Sequence, residues 1–250
     1  MELTALLGLL LGIGGILLGN SIEGGHLASL AQLAAAVIVL CGTFGAVLVS
    51  SRKKDIRLAY SLFKVAMRGP SIKKSEQTFG ELLEYGLIAR KESLLAIEPK
   101  LTEATDPFMQ SALRAVIDGL DVKIIREIFE KEIDIVEENL LAGAKVWMDA
   151  GGFAPTIGII GAVLGLIHVM SNLADTSRLG AGIAVAFVAT IYGVGFANLI
   201  FIPIANKIKK RISDQIRIHE MILEGALAIQ AGLSPAMIEI RLKPFLEKEN

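Results

Sequence analysis

Long uncharged apolar runs alternate with charged, helically periodic stretches along this 250-residue chain. Four runs, 3–18, 27–49, 153–173 and 179–206, have the length to cross a bilayer, which takes about 20 mostly apolar residues of helix. They fall into two pairs. One polar link holds only Glu23 and His26. The other, 174–180, holds Asp175 and Arg178. The first run is the shortest, and a cleaved signal peptide competes for it. Glu2, the lack of a basic segment before the run and the lack of an A-x-A site favour a retained span.

Between the pairs the pattern is helical. Ile56, Tyr60, Phe63 and Met67 recur at helical spacing, and so do Phe79, Leu82, Leu83, Gly86, Leu87, Leu94 and Ile97. Gly69-Pro70 separates the two pieces. Asp106 before Pro107 reads as a capping side chain with proline in the first turn. The apolar pattern then continues through Val116, Leu120, Ile124, Ile128 and Val136 to Trp147, which predicts one long helix feeding into the third span. The tail from Lys207 continues the fourth span, breaks at Gly232 and restarts at Ser234-Pro235. The expected fold is therefore all-α: a polytopic membrane protein with four transmembrane helices in two hairpins, 1–50 and 150–206. A helical cytoplasmic domain, 51–149, lies between the second and third spans, and C-terminal helices fill 207–250.

Charge sets the orientation. Arg52, Lys53, Lys54 and Arg57 follow the second span, and Lys207, Lys209, Lys210 and Arg211 follow the fourth. By the positive-inside rule both termini and the middle domain are cytoplasmic. Net charge is −1 and mean hydropathy +0.58, so nothing points to nucleic acid. Cys41 is the single cysteine, which excludes an intrachain disulfide, and no metal or cofactor motif occurs. There is no phosphate loop, G-x-S-x-G or H-E-x-x-H, so no enzyme is expected.

The spans hold more polarity than a lipid anchor needs. Thr156, Thr190, Tyr192 and Asn198 punctuate the second pair, and Pro155 and Pro203 bend it at what reads as one membrane depth. Gly8/Gly12, Gly15/Gly19 and Gly161/Gly165 have the spacing of close helix approach. His168 could relay protons, but its place near the outer end of a span favours a pore-mouth or interfacial residue. No carboxylate lies inside a span, and an ion crossing lipid normally uses an ionisable group there. Any ion carrier must come from another polypeptide.

The stretch from Gly151-Gly152-Phe153-Ala154-Pro155-Thr156-Ile157-Gly158 to Gly165-Leu166 resembles the MotA/PomA family of flagellar motor stator proteins. So do Ala186-Phe187-Val188-Ala189-Thr190-Ile191-Tyr192-Gly193 with Asn198 and Pro203, the segment Gly42-Thr43-Phe44-Gly45-Ala46, and the Gly-x-Ser-Pro of the tail. The resemblance spans the whole chain. It implies a homopentamer in the bacterial inner membrane around the transmembrane helices of MotB, whose aspartate carries the ion. It further implies that inward flow of H+ or Na+ turns the rotor through FliG. Thr156, Ala162, Thr190 and Tyr192 become candidate ion-path positions, and Pro155 and Pro203 candidates for conformational coupling. Arg90 and Glu98 match the family's rotor-interacting charges and read as one amphipathic helix, with about 80° between them around its axis. Ala162 stands where sodium-using members tend to carry threonine, so H+ is expected over Na+. An ExbB/TolQ-like energising subunit has three spans and fits less well. A small-solute transporter would want more midplane polarity, and a passive scaffold would need neither the prolines nor Thr190.

Overall fold

The computed structural model describes residues 3–67, 72–104, 106–171 and 176–246, all helix or short connections with no strand among them. Helices α1 (Leu3–Ile22), α2 (Leu27–Leu30), α3 (Leu33–Ser50), α4 (Lys53–Ala66) and α5 (Ile72–Lys91) lead to a 3-10 segment, Leu94–Glu103. Helices α6 (Pro107–Ile117), α7 (Val122–Ser171) and α8 (Thr176–Phe196) run to a π-helical turn, Ala197–Phe201. Helices α9 (Ile202–Gln230) and α10 (Pro235–Leu246) complete the chain. Four stretches are long and apolar enough to span a bilayer: α1, α2–α3, within α7, and from α8 into α9. The Gly69-Pro70 separator and part of the 174–180 link lie outside the described residues.

The chain divides into two compact units. The first comprises Met1–Gly69 and Leu140–Lys209. Its core joins Val47, Ala59, Val146, Ala150, Ala154, Ala197 and Phe201. The Trp147 indole donates to the Ala59 carbonyl at 3.1 Å and stacks on Phe63, with centroids 5.3 Å apart. Helix α4 and residues 140–149 thus pack with the spanning helices, inside the boundaries at 50 and 149 that hydropathy alone suggests. Gly143 makes room for this, because a Cβ there would sit 2.9 Å from both Leu58 and Leu62.

The second unit comprises Pro70–Asn139 and Lys210–Asn250. Leu82, Ile97, Leu101, Met109, Leu113, Ile125, Met221, Ile222, Ile238 and Leu242 are fully buried. Asp106 caps α6 as its sequence signature requires, accepting from the Phe108 N–H at 3.0 Å. It also pairs with Lys74 at 2.9 Å. Burial pushes the Asp106 carboxyl up, but the Lys74 and Phe108 hydrogen bonds outweigh this and hold it below its usual value. The buried His219 ring stacks on Phe108 at 4.5 Å. Burial lowers its pKa, the Asp106 charge raises it and Lys74 lowers it, for a net depression. Glu224 accepts from Arg126 at 2.9 Å and from Arg241, fastening α10 to the unit.

Two expectations about continuity fail. The 106–147 pattern is not one helix, because it stops after Ile117 and restarts at Val122. Gly119 takes φ 74°, the left-handed geometry that ends helices. The Asp121 carboxylate then accepts from the Lys123 N–H at 2.8 Å to start the next one. From there α7 is unbroken for 50 residues, about 75 Å at 1.5 Å per residue, so it does feed directly into the third span. The second span is likewise interrupted, at Ala31-Gln32. The tail behaves as expected: α9 ends before Gly232 (φ 67°), and α10 begins at Pro235.

Candidate functional site

Helices α7 and α8 meet along a seam of small residues. A Cβ on Gly158 would lie 2.9 Å from the Ala189 carbonyl oxygen, and one on Gly193 would lie 2.5 Å from that of Ala154. Gly165 approaches the Ala186 backbone as closely, at 2.9 Å. Among the glycine pairs at four-residue spacing, Gly161/Gly165 is therefore used for helix packing. In α1, a Cβ on Gly12 would meet the Leu199 side chain, while one on Gly8, Gly15 or Gly19 would have no atom within 4 Å.

The seam fixes the antiparallel register, with Gly158 beside Gly193 and Gly165 beside Ala186. Helix α3 covers one flank: Gly42 abuts Ile157, Ile38 abuts Gly161, and Ala35 and Val39 pack on Val188 and Ala189. Turning about 100° per residue, Ala162 and Thr190 emerge on the opposite flank at nearly the same height. Pro155, Ile159 and Leu166 of α7 join them, with Phe187, Val194 and Asn198 of α8. All are exposed or half-buried, so among the described residues this flank stays open. Among the described residues the flank contains no ionisable side chain. The Thr190 hydroxyl donates to the Ala186 carbonyl at 3.5 Å, the weak limit of a hydrogen bond, and can turn elsewhere at little cost. The Asn198 amide donates to the Val194 carbonyl at 2.9 Å.

The remaining sequence candidates are placed differently. Thr156 lies on an exposed face of α7 and donates to Phe153 at 2.8 Å. Tyr192 points to the α3 flank, where its hydroxyl donates to the Leu30 carbonyl at 2.6 Å and accepts from the Gln32 N–H at 3.4 Å. It thereby adds a second partner to two backbone groups at the break in the second span, which also bond each other at 3.2 Å and which lipid could not pair. His168 is exposed in the last turn of α7. Thr43 of α3 is fully buried with an unpartnered hydroxyl, a feature no local sequence signal marks.

The two prolines do not share a depth. Gly193 lies against Pro155, whereas Ile202, next to Pro203, lies against Gly151, four residues or about 6 Å away. Pro155 stays within continuous α7. Pro203 follows the π-helical turn, in which the Ile202 N–H reaches back to the Ala197 carbonyl. A proline here removes a backbone donor, and the helix upstream accommodates this by widening for one turn.

Arg90 and Glu98 are not on one helix. Arg90 is in the last turn of α5 and Glu98 in the 3-10 segment, beyond the extended Ser93. The separation lies at Ser93, which is extended at φ −174°, ψ 169°. Both side chains are exposed, and neither makes an ion pair among the described residues. Lys100 ties the 3-10 segment to α5 through Glu84 at 2.8 Å. No cluster of three or more metal-ligating side chains occurs among the described residues.

Residues 100–221 match the MotA/TolQ/ExbB proton channel family, which puts this open-flanked hairpin in a class of ion-conducting membrane subunits. Over 98% of its length the chain is 33% identical to motility protein A of Bacillus subtilis, covering 91% of that protein. The solved C. jejuni MotAB structure superposes with a TM-score of 0.91 at 30% identity, over 100% of this chain and 98% of that one. The Bacillus subtilis flagellar MotAB stator complex gives 0.86 at 32%, over 98% of each chain. The chain belongs to the motility protein A family and is a multi-pass membrane protein.

Proposed function

We propose that the chain is the ring-forming subunit of a flagellar motor stator, which with MotB conducts H+ inward and converts that flow into torque on the rotor. The observation that carries this reading is the open α7–α8 flank. It offers the Thr190 hydroxyl and Pro155 but, among the described residues, no group that can bind and release a proton. A helix bearing a carboxylate would complete the path, and the similar solved structures are MotAB complexes. Five copies closing around two MotB helices would turn every such flank inward. On this reading Ala162 and Thr190 line the ion path, with Thr156 towards its basic end. Tyr192 adjoins the path and braces the second span. Pro155 and Pro203 transmit movement, while Arg90 and Glu98 face FliG. Both termini and the second unit lie in the cytoplasm, with the spans in the inner membrane.

A proton needs only a protonatable group and a hydroxyl or water chain. A hard cation such as Na+ wants several oxygen ligands, and Ala162 supplies none. The test is ion flux into liposomes from the chain alone and from the chain with MotB. Flux should require MotB and persist when K+ replaces Na+ at fixed pH and potential. Flux through the chain alone refutes the shared path, and loss of flux without Na+ refutes the choice of ion.

A further inference from the structure

Helix α4 follows the second span after two extended residues, Ser51 and Arg52, which redirect the chain. Its far end stays at the same height. Phe63 and Met67 line one cavity with Ala5 and Gly8, at the start of the first span, and with Pro203, at the end of the fourth. The start of the first span and the ends of the second and fourth are on one side of the bilayer, so α4 lies along that surface. Its apolar side faces its own chain: Ala59 and Ala66 are buried, Leu58 and Leu62 abut Gly143, and Phe63 stacks on Trp147.

Another side of α4 is basic. Lys53, Arg57, Tyr60 and Lys64 fall within about 60° of one another at 100° per residue, and Arg52 and Lys54 flank them. All six are exposed, and the Lys64 ammonium stands 4.4 Å from the centre of the Tyr60 ring. None of the five cations makes an ion pair among the described residues. Asp55, the single acid of the helix, is about 160° around the axis from Arg57. An amphipathic helix with a basic polar face, lying in the interface, is drawn to anionic lipid. We propose that this stripe binds the headgroup phosphates of anionic phospholipids in the cytoplasmic leaflet, with Tyr60 at headgroup depth. A neighbouring copy brings too few acids to serve instead. In the first unit the acids on this side of the bilayer are Glu2, Asp55 and Asp149, against nine Lys and Arg, and Asp149 is already paired with Lys145 at 2.8 Å. Glu23 and Asp175 belong to the links on the other side. Bound headgroups would hold α4, and α4 in turn holds α7 at Gly143 and Trp147, just outside its span. Such binding is independent of ion conduction, so its test needs no partner chain.

The test uses the full chain in phosphatidylcholine vesicles carrying a trace of phosphatidylglycerol with a photoactivatable diazirine close to its headgroup. The same diazirine on phosphatidylcholine serves as the neutral probe, and adducts are mapped by mass spectrometry. Adducts on residues 52–64 should favour the anionic probe at least about fivefold, the effect expected of one lysine near the surface. Adducts at Ile22 and Leu33, exposed at the far ends of the spans, should show no preference. Raising the salt from about 0.1 to 1 M should remove most of the preference by screening. The triple variant Lys53→Gln, Arg57→Gln, Lys64→Gln should lose it, while Lys53→Arg, Arg57→Lys, Lys64→Arg should keep it. Equal labelling of 52–64 by the two probes, or a preference that survives high salt or the glutamine variant, overturns the proposal. The salt arm uses the parent chain, so it decides the matter even if the glutamine variant fails to fold. Efficient disulfide cross-linking of Arg57→Cys between two copies would assign the stripe to a subunit contact and overturn the proposal as well.

Discussion

Gly193→Ala tests whether the α7–α8 seam sets the position of the open flank. The added methyl carbon would stand 2.5 Å from the Ala154 carbonyl oxygen, 3.1 Å from the Gly158 Cα and 3.2 Å from the Pro155 Cα. All three are backbone atoms, so no side-chain rotation relieves the clash. Carbon approaches a carbonyl oxygen to about 3.3 Å, so the helices must part by roughly 0.8 Å. A gap of that size forfeits a quarter to a half of each dispersion contact along the seam. Overpacking of this kind costs about 1–3 kcal/mol. Gly8→Ala is the matched control, since it receives the same gain of about 1 kcal/mol in helix propensity and meets no atom within 4 Å. The difference between the two variants should be about 2–12 °C in melting temperature, taking about 2–4 °C per kcal/mol for a chain of this size. The assay is thermal unfolding of each purified variant in one detergent, alongside the parent protein. Indistinguishable melting temperatures for the two variants would refute the packing argument.

Tyr192→Phe should cost about 0.5–1.5 kcal/mol, because the Leu30 carbonyl at the break in the second span loses one of its two donors and keeps the Gln32 N–H. Thermal unfolding reads the loss, and a stability unchanged from the parent would show that the break needs no brace. Acidification should weaken the second unit in two stages, because groups with depressed pKa values take up protons more readily when unfolded, so stability falls with pH. His219 acts first, as pH drops below about 6.5, and Asp106 and Glu224 follow in the carboxylate range. His219→Phe should flatten the melting-temperature curve between pH 6.5 and 5, and a curve parallel to the parent's would exclude His219. Reversing charge at Arg90 or Glu98 should impair swimming without lowering the amount of protein in the membrane; full motility of the Arg90→Glu, Glu98→Lys double mutant would exclude that surface.

What could be read from the sequence depended on whether the cause was local. The spans, the run of α7 into the third span, the Asp106-Pro107 start and the Gly232 break all follow from residues near where they act. The break between α6 and α7 was also local, in Asp118-Gly119-Leu120-Asp121. Helical spacing passing through Leu120 concealed it. The interruption at Ala31-Gln32 has no glycine or proline to mark it, because its backbone groups find Tyr192 from 160 residues away. The separation of Arg90 and Glu98 into two elements turns on the extended Ser93 between them, which no glycine or proline marks. Periodicity named the hydroxyls of the second hairpin but not their faces. The face of Thr190 is decided by the glycines it stands beside, and that of Tyr192 by α3.

The seam separates two tasks on one pair of helices. On the α3 flank every position is taken: Ile157 by Gly42, Val188 by Ala35 and Val39, and the Tyr192 hydroxyl by the Leu30 carbonyl. That flank fixes the hairpin against its own chain. About 100° around each helix, the described residues stay exposed or half-buried, and the hydroxyl there is held by a single 3.5 Å bond. A subunit that carried its own ion-binding carboxylate would have to desolvate that charge in lipid, at a cost of several kcal/mol. Leaving the charge to a second chain and presenting an uncharged flank avoids this until the two meet. Pro155 emerges on the same flank, one residue from the Ala154 carbonyl that Gly193 packs against. Any rearrangement driven by protonation of a partner carboxylate would therefore reach the backbone of α7 directly, without passing through an intervening side chain.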